Sequence, residues 1–516
     1  MRRIALITCL LAAVLLTASY PRVPDVSSAK AVDASPRIDP DYTSVVIPPN
    51  IAPLNFRIKE PGRDYVVRIS SGDAPAIEIH CPDGTCRIPR TRWRKLLTAA
   101  KGKEIHYDVY AKQEAGTWVQ FKRLTNTVAP EPIDSYIVYR MLSPNRAYSC
   151  IKGIFQRDLE TFESSALATR RDGTFTCFNC HTFCQNNPDK FIYHVRGNFE
   201  GMMVVSDGKI RKINTKQDPM FRPLAYASWH PGGRYIAATL NMFHSFWPAT
   251  GKRQDFEAVE KRGDLVVYDV EKNTISTTKE VFGNAYIETH PCWSADGRYI
   301  YFVRCKDRPL RVDSDIAAFK FDLMRISYDV ETGAWGAAEM VKAYSKLGTS
   351  CSFPRPSPCG RYILHILADQ TTYPIHQNSS DLYLLDLRTK QYTRLDQANS
   401  DLSESYPRWS FNGRWFSFLS NRRDGVSALP YFAYFDAEGR THKAFVLPQE
   451  DPAYYDTFID TYNALELVKS RVRVREGELA RGMQQEAVDA KFPNPPAVES
   501  YTDSAQKQAP TPGSHY

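Results

Sequence analysis

Short runs of alternating or clustered apolar residues dominate the chain between residues 45 and 128. They are Phe56-Arg57-Ile58, Tyr65-Val66-Val67-Arg68-Ile69, Ile77-Glu78-Ile79, Ile105-His106-Tyr107-Asp108-Val109-Tyr110 and Trp118-Val119-Gln120-Phe121. A period of two over such short runs, bounded by turn residues, predicts strands. Five of them so close together predict a small β-sandwich of immunoglobulin or fibronectin type, with a short helix over Trp93 to Ala100. Val128-Ala129-Pro130-Glu131-Pro132 closes this unit.

From residue 133 the pattern repeats. Trp229-His230-Pro231-Gly232-Gly233-Arg234-Tyr235, Trp293-Ser294-Ala295-Asp296-Gly297-Arg298-Tyr299, Pro356-Ser357-Pro358-Cys359-Gly360-Arg361-Tyr362 and Trp409-Ser410-Phe411-Asn412-Gly413-Arg414-Trp415 are four copies of one turn motif. Their second glycines or equivalents (233, 297, 360, 413) are 64, 63 and 53 residues apart. Each copy precedes a strand, and a later strand ends in Asp269, Asp329, Asp386 or Asp436. An Asp there is expected to bond its own turn backbone. Repeats of this length with glycine turns predict propeller blades. Pro188 to Tyr193 reads as a degenerate copy, and Gly153 to Leu159 belongs to a further blade. Five blades are recognisable and six or seven are expected, over residues 133–464.

One stretch carries chemistry rather than packing: Cys177-Phe178-Asn179-Cys180-His181. Two thiols three apart can add to both haem vinyl groups, and the adjacent imidazole can ligate iron. With 11 cysteines and 11 histidines in 516 residues, about 0.005 chance matches are expected. Two other readings stay open: a disulfide between Cys177 and Cys180, or a zinc site adding His181 and Cys184. The repeat places the motif in the lead-in before a blade's first strand, and lead-ins should converge on the propeller axis. His290 is therefore the first candidate for a sixth iron ligand, ahead of His230 and Met220. Its alternative role is a polar plug bonded to neighbouring backbone. His194 reads as a satisfied strand histidine, and Tyr406 as a residue near the channel.

Composition adds an address. Met1-Arg2-Arg3 and the apolar run Ile4 to Ala18 read as a signal peptide over residues 1–19. Lipoprotein anchoring through Cys9 fits poorly, because the apolar run continues past it. The periplasm or outer envelope of a Gram-negative bacterium is the expected location, with no integral membrane segment afterwards. In that oxidising setting Cys81 and Cys86, flanking a tight turn, are the best local disulfide pair. A net charge of +8, from 66 basic and 58 acidic residues, has no basic run interleaved with aromatics, so nucleic acid is not an expected partner. Gly-x-Ser-x-Gly, His-Glu-x-x-His and phosphate-binding glycine loops are absent from the sequence. Residues 20–44 read as a linker, 465–490 as a helix and 491–516 as a disordered tail.

The repeat after an exported sandwich resembles the TolB-type (PD40) propeller. With the haem motif included, the chain resembles relatives of the hydrazine synthase alpha subunit over residues 45–465. Carrying segments are Pro48 to Phe56, Gln156 to Glu160, Cys177 to His181, Tyr286 to Pro291 and Glu404 to Ser410. The resemblance implies one c-type haem on the propeller and a redox role. It does not imply hydrazine synthesis, which needs partner subunits and further haems. The expected function is electron transfer with an envelope redox partner. The alternatives are a protein-binding scaffold and, more weakly, a haem enzyme acting on a small nitrogen compound or peroxide.

Overall fold

Strand pairing closes the second half of the chain into a ring. This computed structural model describes residues 23–143, 151–169, 176–216, 222–246, 257–309 and 313–496. Among them are six propeller blades. Blades 2 to 6 begin with the inner strands Thr176–Phe183, Leu224–Trp229, Tyr286–Trp293, Ser350–Pro356 and Glu404–Trp409. Each continues outward through three antiparallel strands. Blade 1 takes Tyr136–Leu142, Ile151–Asp158 and Ser164–Thr169 from the start of the propeller and its inner strand, Thr461–Val468, from the end. The six inner strands neighbour one another in a closed circle, each paired on one side only, so their free edges meet around the axis.

The repeated turn joins the first strand of a blade to its second. Gly233, Gly297, Gly360 and Gly413 hold φ between 67° and 73°, a region that costs glycine little. Each donates its N–H to the carbonyl of His230, Ser294, Ser357 or Ser410. The four strand-ending aspartates accept two turn N–H groups apiece, as in Glu271 and Lys272 to Asp269 Oδ1 at 2.9 and 3.0 Å. Arg234 and Arg361 of the turn motif pair with Asp269 and Asp386 of their own blades, both at 2.7 Å.

The lead-ins are therefore the innermost strands themselves, and the strand after each glycine turn is the second. Cys177 to His181 accordingly lies on blade 2's inner strand. Pro291, Pro354 and Pro407 hide these strands in the sequence, because proline breaks a strand pattern. Here each falls where the ladder skips a residue and no N–H is needed.

The N-terminal unit has a seven-stranded and a three-stranded sheet with the helix Arg90–Ala99. Residues 20–44 are not simply a linker: Lys30–Ala31 and Ile38–Asp39 pair with sandwich strands, and Val32 and Ile38 pack against the core. Cys81 and Cys86 are brought together by their turn but stand as buried thiols. One core runs from the sandwich into blades 5, 6 and 1. Across this junction, Arg57 and Arg423 each contact Asp39 and Asp456. The helix expected over 465–490 is confined to Glu476–Gln484. Its first residues, through Val468, close blade 1, because a strand partner outweighs their helical propensity. Val488–Asp489 adds a fifth strand to blade 2, and Lys491 bridges to Thr274, so the tail is ordered through this contact. Residues 1–22, with Cys9 and the expected signal peptide, Met220 and residues 497–516 lie outside the described residues. No helix among those described is long and apolar enough to cross a membrane.

Candidate functional site

All six inner strands carry the same irregularity. Their ladder to the second strand skips two residues, at 179–180, 226–227, 290–291, 353–354, 406–407 and 464–465. The first of the two is left-handed in Tyr226, His290, Phe353, Tyr406 and Ala464, with φ between 47° and 54°. Non-glycine residues rarely adopt this region, and such strain collects at functional positions. In blade 2 the bulge falls inside the Cys-x-x-Cys-His motif, at Asn179 and Cys180.

The bulge residues build an aromatic plug. His290 lies edge-on to Tyr226 at 4.3 Å and stacks on Phe353 at 3.9 Å, and Phe353 leans on Tyr406 at 4.9 Å. His290 is 1% exposed. Its Nδ1 accepts the Phe353 N–H at 3.2 Å, while Nε2 is buried and unpartnered. Burial holds its pKa well below the usual imidazole range, with Arg355 and Arg408 adding to the effect.

Immediately after the bulges comes a second ring: His181, Ser228, Cys292, Arg355, Arg408 and Glu466. His181 is 3% exposed and neither ring nitrogen meets hydrogen-bond geometry with a partner. Burial, then Arg140 and Arg408, push its pKa down to about 3, against the opposing pull of the Val138 carbonyl. Its imidazole is therefore neutral, the form that ligates metal. Arg408 pairs with Glu466 at 2.8 Å, and Glu466 Oε2 also accepts the Phe183 N–H at 2.9 Å. Arg140, from blade 1's second strand, donates to the Phe178 carbonyl at 3.2 Å and to Asn463. A cavity of about 340 Å³ opens from this ring toward the glycine turns, lined by Ser228, Cys292, Arg408, Glu466 and a collar of Trp229, Trp293 and Trp409. Two of these indoles pin neighbouring blades, Trp229 to the Thr182 carbonyl at 3.2 Å and Trp409 to the Arg355 carbonyl at 2.9 Å.

His181 and His290 thus both feel the Arg408 charge, but they sit in different rings, with blade 3 between their blades. The side chains of Cys177 and Cys180 lie outside the described residues. Cys184 is buried at the far end of the strand, its thiol toward the His230 carbonyl at 3.8 Å. His230 is bonded to the Gly232 N–H and to Gly297 backbone and packs on Trp293 at 4.8 Å. His194 is buried on blade 2's second strand. Among the described residues no group of three or more His, Cys, Asp or Glu is arranged to hold a metal.

Sequence reasoning missed Arg140, Ser228, Cys292, Arg355, Arg408 and Glu466. A signal existed for four of them: Ser228, Cys292, Arg355 and Arg408 each stand one residue before a turn motif, so the repeat register places them on one ring.

No family model and no curated protein sequence matches the chain. Among solved structures it is similar to an oligogalacturonate lyase from Vibrio parahaemolyticus, at 12% identity and TM-score 0.32, over 59% of this chain and 92% of that one. A periplasmic gluconolactonase from Pseudomonas aeruginosa matches at 12% identity and TM-score 0.32, over 61% and 97%. An auxiliary nutrient binding protein from Bacteroides thetaiotaomicron matches at 10% identity and TM-score 0.34, over 80% and 99%. At these values they carry nothing about activity.

Proposed function

We propose that this chain is an exported, c-type cytochrome-like propeller protein, with one covalent haem held by Cys177, Cys180 and His181, that exchanges electrons with a partner in the cell envelope. The observation that carries the reading is His181, a buried imidazole with only the Val138 carbonyl nearby and neither nitrogen in hydrogen-bond geometry, directly after the two motif cysteines on an inner strand. A buried polar group without a partner is costly and asks for an unseen one. Iron at His181 answers that. The donor set fits: two thiols at the attachment spacing and a neutral imidazole.

Cys177, Cys180 and His181 would hold the haem, and His290 would be the sixth ligand through Nε2 only after moving its proton to Nδ1 and giving up the Phe353 N–H bond. When bound, the haem would supply one-electron transfer. The chain's own part is to bury the ligating imidazole, exclude water with the Tyr226-His290-Phe353-Tyr406 plug and surround the site with fixed positive charge. That charge favours the reduced over the oxidised iron. The same placement supports the resemblance to relatives of the hydrazine synthase alpha subunit at the level of a haem-bearing propeller.

The test is a haem-stained denaturing gel of protein exported from a host with cytochrome c maturation machinery, beside Cys177→Ala/Cys180→Ala. A stained band lost in the variant supports covalent haem. Folded, exported protein without stain overturns it and leaves the scaffold reading.

A further inference from the structure

Charge in the channel is unbalanced. Two guanidiniums, Arg355 and Arg408, belong to the second ring, and Glu466 is the one carboxylate in that ring. Glu466 is taken by Arg408. Arg355 is 8% exposed, and no carboxylate among the described residues forms an ion pair with it. Its contacts are its neighbour's Pro354 carbonyl at 3.2 Å, the Cys292 thiol and the Phe353 ring at 5.6 Å, and its Nε is buried without a partner. A buried charge is normally paired, because an isolated one is strongly disfavoured. Beside it, Ser228 Oγ donates toward Cys292 Sγ at 3.7 Å, and the buried Trp293 Nε1 has no acceptor. Ser228, Cys292, Trp293 and Arg408 line the cavity, and Arg355 lies behind the Cys292 thiol.

We propose that this channel binds a small carboxylate or oxyanion at Arg355 and Arg408, with Trp293 as a neutral donor. A planar guanidinium fork suits such a group, and a water-poor channel of one sign concentrates anions. The site stands on Arg355 whether or not haem is present. Its carboxylate can come free from solution or from the haem itself.

Calorimetric titration of the full chain with sodium formate, and separately with sodium sulfate, tests this. Saturable one-site binding of at least one anion is expected. Arg355→Gln should weaken it at least tenfold, while the exposed Arg388→Gln should leave it unchanged. No saturable heat with either anion in both the haem-loaded and the haem-free protein, or equal affinity in Arg355→Gln, overturns the proposal. Comparing haem-loaded protein with Cys177→Ser/Cys180→Ser separates the sources. Binding to both forms means a free anion, and binding to the haem-free form alone means that a haem carboxylate holds the site.

Should Arg355→Gln not fold, the wild-type protein decides by alkylation. Iodoacetate should favour Cys292 over the exposed Cys359 about tenfold more than neutral iodoacetamide does, and formate should suppress the bias. Equal ratios for the two reagents overturn the anion site.

Discussion

His290 accepts the Phe353 N–H on Nδ1 at 3.2 Å while its ring stacks on that residue's at 3.9 Å. One side chain therefore ties blade 4 to blade 5 and still presents Nε2. His290→Phe keeps an aromatic ring but strands a buried N–H, which should cost about 1–3 kcal/mol in denaturant unfolding. In haem-loaded protein the same variant should change a six-ligand absorption spectrum to a five-ligand one, and Tyr406→Phe should not. An unchanged spectrum in His290→Phe would place the sixth ligand elsewhere.

The outer parts of the propeller were legible because they rest on local rules. Gly297 needs its φ, and Asp329 needs its turn N–H groups, whatever surrounds them. The inner strands rest on partners far along the chain. Ala464-Leu465-Glu466-Leu467 has helical composition and becomes a strand only because Tyr136–Leu142 offers an unpaired edge over 300 residues earlier. Arg140 has no local signal, since its neighbours Tyr139 and Met141 read as ordinary strand. The Cys177 to His181 motif stands out in the sequence, but its place on an inner-strand bulge does not, because a bulge is a property of two strands.

Gly297 faces His230 across the boundary between blades 3 and 4. A Cβ at Gly297 would lie 2.2 Å from His230 Nε2, at φ 73°. Gly297→Ala should therefore destabilise by about 2–3 kcal/mol. Gly208→Ala, at φ 76° with open space around it, should lose only about 1 kcal/mol. Adding His230→Ala to Gly297→Ala should recover part of the loss, and a strictly additive double mutant would reject the contact.

Glu260 is fully buried between the Tyr373 hydroxyl at 3.2 Å and the Asn241 amide at 3.4 Å, and burial pushes its pKa up to about 7 despite these donors, Tyr226 and Arg196. The folded state thus holds a proton that the unfolded chain releases near pH 4.5. Its contribution is full below that pH, declines as pH rises toward 7 and is flat above, a change of about 3 kcal/mol. Glu260→Gln should remove this slope from denaturant midpoints measured between pH 4.5 and 7.5. A wild-type-like slope in the variant would assign the proton to another group.

Glu466 is the pivot between fold and channel charge. Glu466→Gln keeps an acceptor for the Phe183 N–H but leaves Arg408 without its carboxylate, which should lower stability by about 3 kcal/mol. The same change adds one positive charge to the ring, so formate should bind roughly tenfold more tightly, equivalent to ~1.4 kcal/mol. Millimolar formate should then raise the melting temperature of Glu466→Gln more than that of the wild type. A damaged channel would lose both stability and formate binding. Lower stability with tighter binding is expected only if Glu466 and the anion compete for the same guanidiniums.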